Sequence, residues 1–373
     1  MLRKFFSLLL FISIAIGCSQ NSSFNGELES VEISHAKCFR IFKGEGYKTV
    51  ELINPWDTTK LLNRYVLVSK SDNLPDSLPQ GVVVRTPIEN IVVNTVVDGS
   101  IIELLGCDRS ISAVCEAQYF KNPKIRKRID NGEIVNLGQS SKPSIEKIIA
   151  LHPEAIVATA FQNTGFGALE KLNTPIIQAA SYMESAQLGQ SEWIKYFAAF
   201  LEKEQIADSI FSAIESRYNS VRDIAKNSAT KPQLMQGKRF GSAWYFPAGG
   251  SYKTLMFLDA GASYPWSETT GEGSLSLSYE EVLTKSRDAD YWIIVYNNPN
   301  EDLTYSSLKK EFEGYANFKP FKEQKIFGCN SAYKDYYESV IFSPDLLLCD
   351  YIKILHPELL EDYKLNYFKP LGN

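Results

Sequence analysis

Aromatic residues in short segments after predicted strands are the feature of this sequence best suited to binding chemistry. The string Trp-Tyr-Phe-Pro at 244–247 precedes a glycine-rich turn, and Tyr-Lys-Asp-Tyr-Tyr-Glu at 333–338 precedes the last predicted helix. In open parallel sheets ligands bind beyond the carboxyl ends of the strands, and aromatic rings with polar tips suit a bulky, partly planar ligand. The alternative is ordinary core packing, because 12% of the chain is aromatic. The candidate ligand-binding residues are Tyr119, Phe161, Tyr182, Trp244, Tyr245, Trp266, Asn297, Tyr333, Tyr336 and Tyr337.

Catalytic motifs are not evident. The sequence contains no GxSxG nucleophile elbow, no HExxH string and no Walker GxxxxGK[ST] loop. The Gly-Glu-Gly strings at 44–46 and 271–273 lack the third glycine of a dinucleotide fingerprint, so they are interpreted as turns. We therefore predict a protein that is not an enzyme, with no cofactor and no protein-held metal.

Histidine and cysteine usage agrees with that interpretation. Two of the three histidines lie in Leu-His-Pro-Glu strings, which indicate helix-ending turns rather than metal ligation. Five cysteines follow Cys18 without any CxxC pair, so a zinc ribbon is not indicated. Their disulfide pairing stays open: Cys38, Cys107, Cys115, Cys329 and Cys349.

The N-terminus has the pattern of a targeting segment. Arg3 and Lys4 precede an apolar run that is too short to span a bilayer, and a small-residue site ends at Cys18. This predicts a signal peptide over residues 1–17, lipidation of Cys18 and a tether over 18–30; an ordinary signal peptide is the alternative. The mature protein is then a lipid-anchored monomer of the bacterial cell envelope, on the periplasmic side, although the sequence does not identify the membrane or leaflet.

The charge distribution argues against nucleic acid as a partner. Loss of Arg3 and Lys4 with the signal peptide moves the formal net charge from −5 to −7. The one basic cluster, within residues 121–128, is more typical of a solvated face than of a backbone-binding stripe.

The order of predicted elements indicates an α/β fold with two lobes. Residues 31–88 form a β-rich extension, and strands alternate with helices over 89–189 and again over 229–373, which predicts a mostly parallel sheet flanked by helices in each lobe. Between Gly189 and Pro232 there is no glycine or proline, and apolar residues recur every three or four positions. We expect one long rigid helix over 190–228 to join the lobes across a ligand-binding cleft.

Several segments carry a family resemblance. Ile-Val-Val at 91–93 leads to Ile-Glu-Leu-Leu-Gly at 102–106, and the expected linking helix matches in position and length. The most specific is Pro-Ser-Ile-Glu-Lys-Ile-Ile-Ala-Leu-His-Pro-Glu-Ala-Ile-Val at 143–157; Leu-Ser-Tyr-Glu-Glu-Val-Leu at 277–283 precedes Asp-Tyr-Trp-Ile at 290–293, and 342–358 matches a final helix. Over roughly 88–360 the chain resembles the helical-backbone (class III) periplasmic substrate-binding proteins of ABC importers for iron–siderophore, haem or cobalamin. The β-rich extension falls outside this resemblance.

The resemblance implies a function and two docking residues. One surface glutamate per lobe would contact the ABC permease in the inner membrane: Glu146, and Glu280 with Glu281 as the alternative register. The cargo would be a metal chelate, an iron–siderophore first and cobalamin or haem next. Lys253 and Lys334 are the main cations in the candidate loops, which weakens the case for a highly anionic siderophore. An envelope hydrolase on a two-lobed α/β scaffold, or an adhesion or scaffolding lipoprotein, are the alternatives.

Overall fold

A computed structural model of the chain describes residues 28–373. The predicted signal peptide, Cys18 and most of the predicted tether lie outside the described residues. The predicted tether over 18–30 extends too far along the chain, because its last two residues form the strand Glu29–Ser30. Among residues 28–373, none of the helices combines the length and hydrophobicity that a bilayer crossing requires.

The N-terminal extension is a five-stranded sheet packed on the first lobe. Neighbouring strands of this sheet are antiparallel, except that the fifth strand is parallel to the fourth. The ring of Phe39 meets Trp193 edge-on at 5.3 Å, and the Tyr65 hydroxyl donates to the Ile176 carbonyl at 2.9 Å, so the sheet shares a core with the lobe. The strands are β1 (Glu29–Ser30), β2 (Phe39–Gly44), β3 (Tyr47–Ile53), β4 (Leu61–Ser69) and β5 (Val82–Thr86).

The first lobe is a parallel sheet flanked by helices. Its elements are β6 (Ile91–Val93), α1 (Val96–Leu104), β7 (Ile111–Val114), α2 (Pro123–Asp130), β8 (Val135–Asn136), α3 (Ile145–Leu151), β9 (Ala155–Thr159) and β10 (Ile176–Ala179). The strand order β10-β9-β6-β7-β8 is parallel throughout, which is the arrangement that alternating strands and helices predict.

The prediction of one unbroken helix over 190–228 is wrong. The structure has two helices that pack against each other, α4 (Gln187–Leu201) and α5 (Glu204–Ala225). Glu202 adopts a left-handed conformation with φ of 54°, and the Lys203 amide donates to the Ala198 carbonyl, which is the hydrogen bond of a Schellman helix end.

The two helices have different roles. Nearly every residue of α4 is buried, so it is a core helix of the first lobe. Helix α5 is amphipathic and about 33 Å long. It places Ala207 and Phe211 in the first core and Ile214 and Tyr218 in the second. The linking element is therefore α5 alone.

The second lobe has a four-stranded, mostly parallel sheet and a small antiparallel sheet. Its elements are β11 (Leu234–Gln236), β12 (Arg239–Phe240), β13 (Ala243–Pro247), α6 (Tyr252–Asp259), β14 (Ser274–Leu277), α7 (Tyr279–Ser286), β15 (Tyr291–Tyr296), α8 (Tyr305–Glu311), α9 (Lys319–Lys322), β16 (Ile326–Asn330), α10 (Tyr336–Ser339), α11 (Pro344–Leu355) and β17 (Lys369–Pro370). The larger sheet has the order β11-β15-β16-β17, in which only β17 is antiparallel, and the small sheet has the order β12-β13-β14. The predicted class, two α/β lobes with mostly parallel sheets flanked by helices, is confirmed.

Candidate ligand-binding cleft

A cavity of about 380 Å³ lies between the two lobes. Its first-lobe wall is formed where β6, β9 and β10 end, and α4 closes one side. Its second-lobe wall comes from α6, α10 and α11. We call it the tyrosine cavity after five of its lining residues: Tyr182, Tyr252, Tyr336, Tyr337 and Tyr351.

Phenol groups line this cavity within an apolar surround, and one of them, the Tyr182 hydroxyl, already donates to the Ala160 carbonyl at 2.8 Å. Burial raises the pKa of Tyr336 and of Tyr351 above the ordinary value, so both remain neutral at physiological pH. Phe161, which is 57% exposed, lies 5.9 Å from the Tyr182 ring at the first-lobe side. The cavity therefore offers flat apolar surface together with O–H groups.

Gln187, the first residue of α4, supplies the most informative polar group of the cavity. The residue is 3% exposed, and neither its side-chain amide nitrogen nor its amide oxygen has a hydrogen-bond partner among residues 28–373. A buried amide without partners costs about 1–3 kcal/mol. A ligand in the cavity that pairs with both atoms would recover that cost.

In the part of the chain that the structure describes, each lobe contributes one charged group to the lining of the tyrosine cavity. The Thr95 hydroxyl donates to the Asp98 carboxylate at 2.6 Å and holds it at the start of α1. Burial raises the pKa of Asp98 to about 6, so it takes up a proton in mildly acidic solution. In the second lobe, the neighbouring Tyr252 phenol raises the pKa of the Lys253 ammonium, which therefore stays charged.

Direct hydrogen bonds join the lobes beside the tyrosine cavity. The backbone amides of Lys121 and Asn122 donate to one oxygen of Glu338 at 2.7 and 3.2 Å, and the Ser191 hydroxyl donates to the Ile341 carbonyl at 2.5 Å. A second interlobe cavity of about 560 Å³ adjoins this contact. The lobes are thus already close in this structure.

The structure brings together some of the sequence-predicted residues. Phe161, Tyr182, Tyr336 and Tyr337 line the tyrosine cavity. Tyr119 and Asn297 line the second cavity, which Tyr337 also borders.

Other predicted residues lie elsewhere. The prediction that Trp244 and Trp266 line the cleft is wrong: they are 0% and 3% exposed and pack in the core of the second lobe. Strand β13 turns Trp244 and Phe246 inward, and the Phe246 ring packs against the Trp266 ring in a tilted arrangement with 4.3 Å between the centroids. Tyr245 and Tyr333 are exposed, but they line neither cavity.

Sequence reasoning missed Asp98, Gln187, Tyr252 and Tyr351. Tyr351 and Gln187 lie on helices whose apolar pattern indicates only core packing, and Asp98 looks like an ordinary first-turn acid. Tyr252 follows the glycine-rich turn at 249–250, which was the one available signal.

The two docking candidates occupy equivalent positions in the lobes. Glu146 and Glu280 are exposed in the first turns of α3 and α7, and their carboxylates make no hydrogen bond or ion pair with any described residue. The Glu281 carboxylate instead accepts from the amide and hydroxyl of Ser278, both at 2.8 Å, in a capping box. These hydrogen bonds lower the pKa of Glu281. The geometry favours Glu280 over Glu281 as the group available to a partner.

Within the part of the chain that the structure describes, no three His, Cys, Asp or Glu side chains are grouped to hold a metal ion. The five described cysteines are free thiols, and four of them are buried.

A sequence profile of periplasmic binding proteins matches residues 91–333, more than half of the chain. The chain belongs to the periplasmic binding protein family. The resemblance seen in the sequence is thereby confirmed, and the match begins at β6, after the extension.

Individual relatives agree with this assignment. An uncharacterized lipoprotein of Methanocaldococcus jannaschii is 28% identical over 324 residues, covering 82% of this chain and 75% of its own. The molybdate-binding periplasmic protein of Haemophilus influenzae superposes with a TM-score of 0.60 at 18% identity, covering 77% of this chain and 91% of its own. A periplasmic haem-binding protein of Pseudomonas aeruginosa superposes with a TM-score of 0.56 at 14% identity, covering 73% of this chain and 94% of its own. The two structural likenesses establish the fold of this periplasmic binding protein.

The family and these structural neighbours are binding proteins rather than enzymes. Nothing among them supports the envelope hydrolase that the sequence left as an alternative.

Proposed function

We propose that this periplasmic binding protein captures a metal chelate in the tyrosine cavity and delivers it to an ABC permease of the inner membrane. The observation that carries the proposal is the buried Gln187 amide, unpartnered within the described chain, in an interlobe cavity walled by tyrosines. A ferric siderophore is the first choice, and cobalamin or haem comes next.

The lining of the cavity favours an organic chelate over a small oxyanion. The structural neighbours named above bind molybdate and haem, so they support a solute-binding role but do not single out one ligand. A small anion needs several charge-assisted N–H donors, whereas Lys253 is the only lysine or arginine among residues 28–373 that lines the tyrosine cavity. Phenol rings, Met256 and Leu347 instead suit an apolar body.

The donors of the cavity suit the oxygen-rich face of a ferric siderophore. The hydroxyls of Tyr336 and Tyr351 and the Lys253 ammonium can donate to the oxygen atoms through which such chelators hold iron. One cation in the cavity is compatible with a chelate of low net charge.

The remaining parts of the proposal concern delivery. Lipidation of Cys18 would hold a monomer at the membrane surface in the bacterial envelope. The exposed carboxylates of Glu146 and Glu280, one on each lobe, would contact arginines of the permease. The interlobe hydrogen bonds of Glu338 and the rigid α5 would keep closure around the ligand small.

Calorimetric titration of the purified protein with ferrichrome, haemin, cyanocobalamin and molybdate tests this function. We expect a Kd of about 1 µM or tighter for at least one of the three chelates, which corresponds to about −8 kcal/mol. Molybdate should bind much more weakly. Failure of all three chelates to bind below about 10 µM would contradict the proposal.

A further inference from the structure

A second depression, which we call the extension groove, opens beside the tyrosine cavity. It has a volume of about 760 Å³, and Phe161 and Tyr182 line both spaces. Its other walls come from the N-terminal extension, including Lys37 and Trp56, and from the second lobe near Glu272. The extension thus forms a third wall next to the cleft, and this wall precedes the part of the chain that the family profile matches.

Two buried carboxylates of the first lobe fix the extension in this position. Glu192 accepts from the backbone amides of Ser34, His35 and Ala36 at 2.7–2.9 Å. Glu184 accepts from those of Lys37 and Cys38 at 2.8 and 3.1 Å.

The two carboxylates belong to the same part of the first lobe as the binding site. Glu192 lies on α4, which begins with Gln187, and Glu184 lies three residues before that glutamine. The extension is therefore held against the segment that also presents the unpartnered amide to the tyrosine cavity.

Trp56 gives the extension groove an aromatic surface. It is partly exposed, and no ring of the described residues stacks on it. Its position is set by a turn, because its backbone amide donates to the Asn54 side chain at 2.9 Å. The other four tryptophans of the protein are at most 3% exposed: Trp193, Trp244, Trp266 and Trp292.

We propose that the ligand extends from the tyrosine cavity past Phe161 and Tyr182 into the extension groove, where a flat apolar part of it stacks on Trp56. This inference rests on the proposed function and narrows its ligand to a chelate larger than the 380 Å³ cavity, with a planar or conjugated arm. Lys37 supplies an ammonium for an anionic substituent on that arm.

The test compares Trp56→Ala with Leu74→Ala in titrations with ferrichrome, haemin and cyanocobalamin. Leu74 is a matched control because it is 55% exposed, belongs to the same extension and does not line the groove. We expect Trp56→Ala to weaken whichever of haemin and cyanocobalamin binds more tightly about 10-fold, because both carry conjugated rings, and Leu74→Ala to change it less than about 2-fold. Tight binding of ferrichrome alone, which has no such arm, would overturn this inference.

Iodide quenching of the unmodified protein gives a second readout that does not depend on a variant folding. Because Trp56 is the accessible tryptophan among the five, it dominates iodide quenching in the free protein. The bound chelate should lower the Stern–Volmer constant severalfold.

The outcomes separate this inference from the function on which it rests. Tight chelate binding with unchanged affinity in Trp56→Ala and unchanged iodide quenching would overturn the Trp56 contact and leave the proposed function intact. If the unmodified protein binds none of the three chelates, both the proposed function and this inference fail.

Discussion

Replacing Glu192 with alanine is expected to lower the free energy of unfolding by about 3–5 kcal/mol. The carboxylate is fully buried and accepts from three backbone amides of the extension and from the Lys195 ammonium at 3.0 Å. Alanine would leave the three backbone amides without this acceptor, whereas the Lys195 ammonium still donates to the Glu32 carbonyl at 3.3 Å. Each unsatisfied buried group costs about 1–3 kcal/mol. Urea denaturation followed by circular dichroism at pH 7 measures the difference.

Glu204→Ala is the matched control. This carboxylate also ties the extension to a neighbouring element, the linking helix α5, through an ion pair with Lys48, but both side chains are about one-third exposed. The expected loss is below about 1 kcal/mol. Similar losses in the two variants would contradict the account of the buried carboxylate.

The effect of Glu192 should depend on pH in a defined direction. Burial raises the pKa of this carboxyl, but the hydrogen bonds from the amides of Ala36, Ser34 and His35 outweigh it and hold the pKa below the ordinary value of 4.5. The stabilisation is therefore present above pH 4.5, where the unfolded chain is ionised, and is lost as acid protonates the folded state. The difference between the unmodified protein and Glu192→Ala should shrink on acidification.

Charge reversal of both Glu146 and Glu280 to lysine is expected to reduce chelate uptake about 100-fold without changing chelate affinity. Each carboxylate is exposed and makes no hydrogen bond or ion pair with any described residue, so reversal should leave the fold intact. If each meets an arginine of the permease, two repulsive pairs replace two attractive ones, at a cost of several kcal/mol in docking. Uptake of the tightest-binding chelate, labelled with a radioactive metal, in cells that express the permease gives the readout.

Glu281→Gln controls for position on the same helix. Because glutamine at this position can still accept from Ser278 and complete the capping box of α7, this variant should keep its fold and normal uptake. Loss of uptake in Glu281→Gln with normal uptake in the double reversal would place the docking group one residue further along the chain.

Much of the α/β framework follows from local sequence pattern. Strands β6, β9 and β15 are short apolar runs between polar or turn-forming segments, and burial on both faces of a parallel strand produces such runs. Helix α11 begins at Pro344, a residue that suits the first turn of a helix and no later one.

The break between α4 and α5 could not be predicted in the same way. Helix ends of this type usually carry glycine or asparagine in the left-handed position, but here Glu202 takes it. Tertiary contacts account for the exception, because the Ile88 amide donates to the Phe200 carbonyl and the Thr86 hydroxyl donates to Glu202 at 2.8 Å. Both partners are distant in sequence.

The candidate site was only partly predictable for a related reason. Alternation along β13 shows that Trp244 and Tyr245 face opposite sides, but only the packed sheet shows that the tryptophan side is the core. The unpartnered state of the Gln187 amide is likewise a property of the assembled lobes.

Gln187→Leu tests most directly whether the tyrosine cavity is the binding site. Because neither atom of the Gln187 amide has a partner within the described chain, removing the amide should leave the melting temperature unchanged or higher. We predict that the variant binds the tightest chelate of the panel at least about 10-fold more weakly than the unmodified protein. Unchanged affinity in a stable Gln187→Leu protein would place the ligand elsewhere and contradict the account.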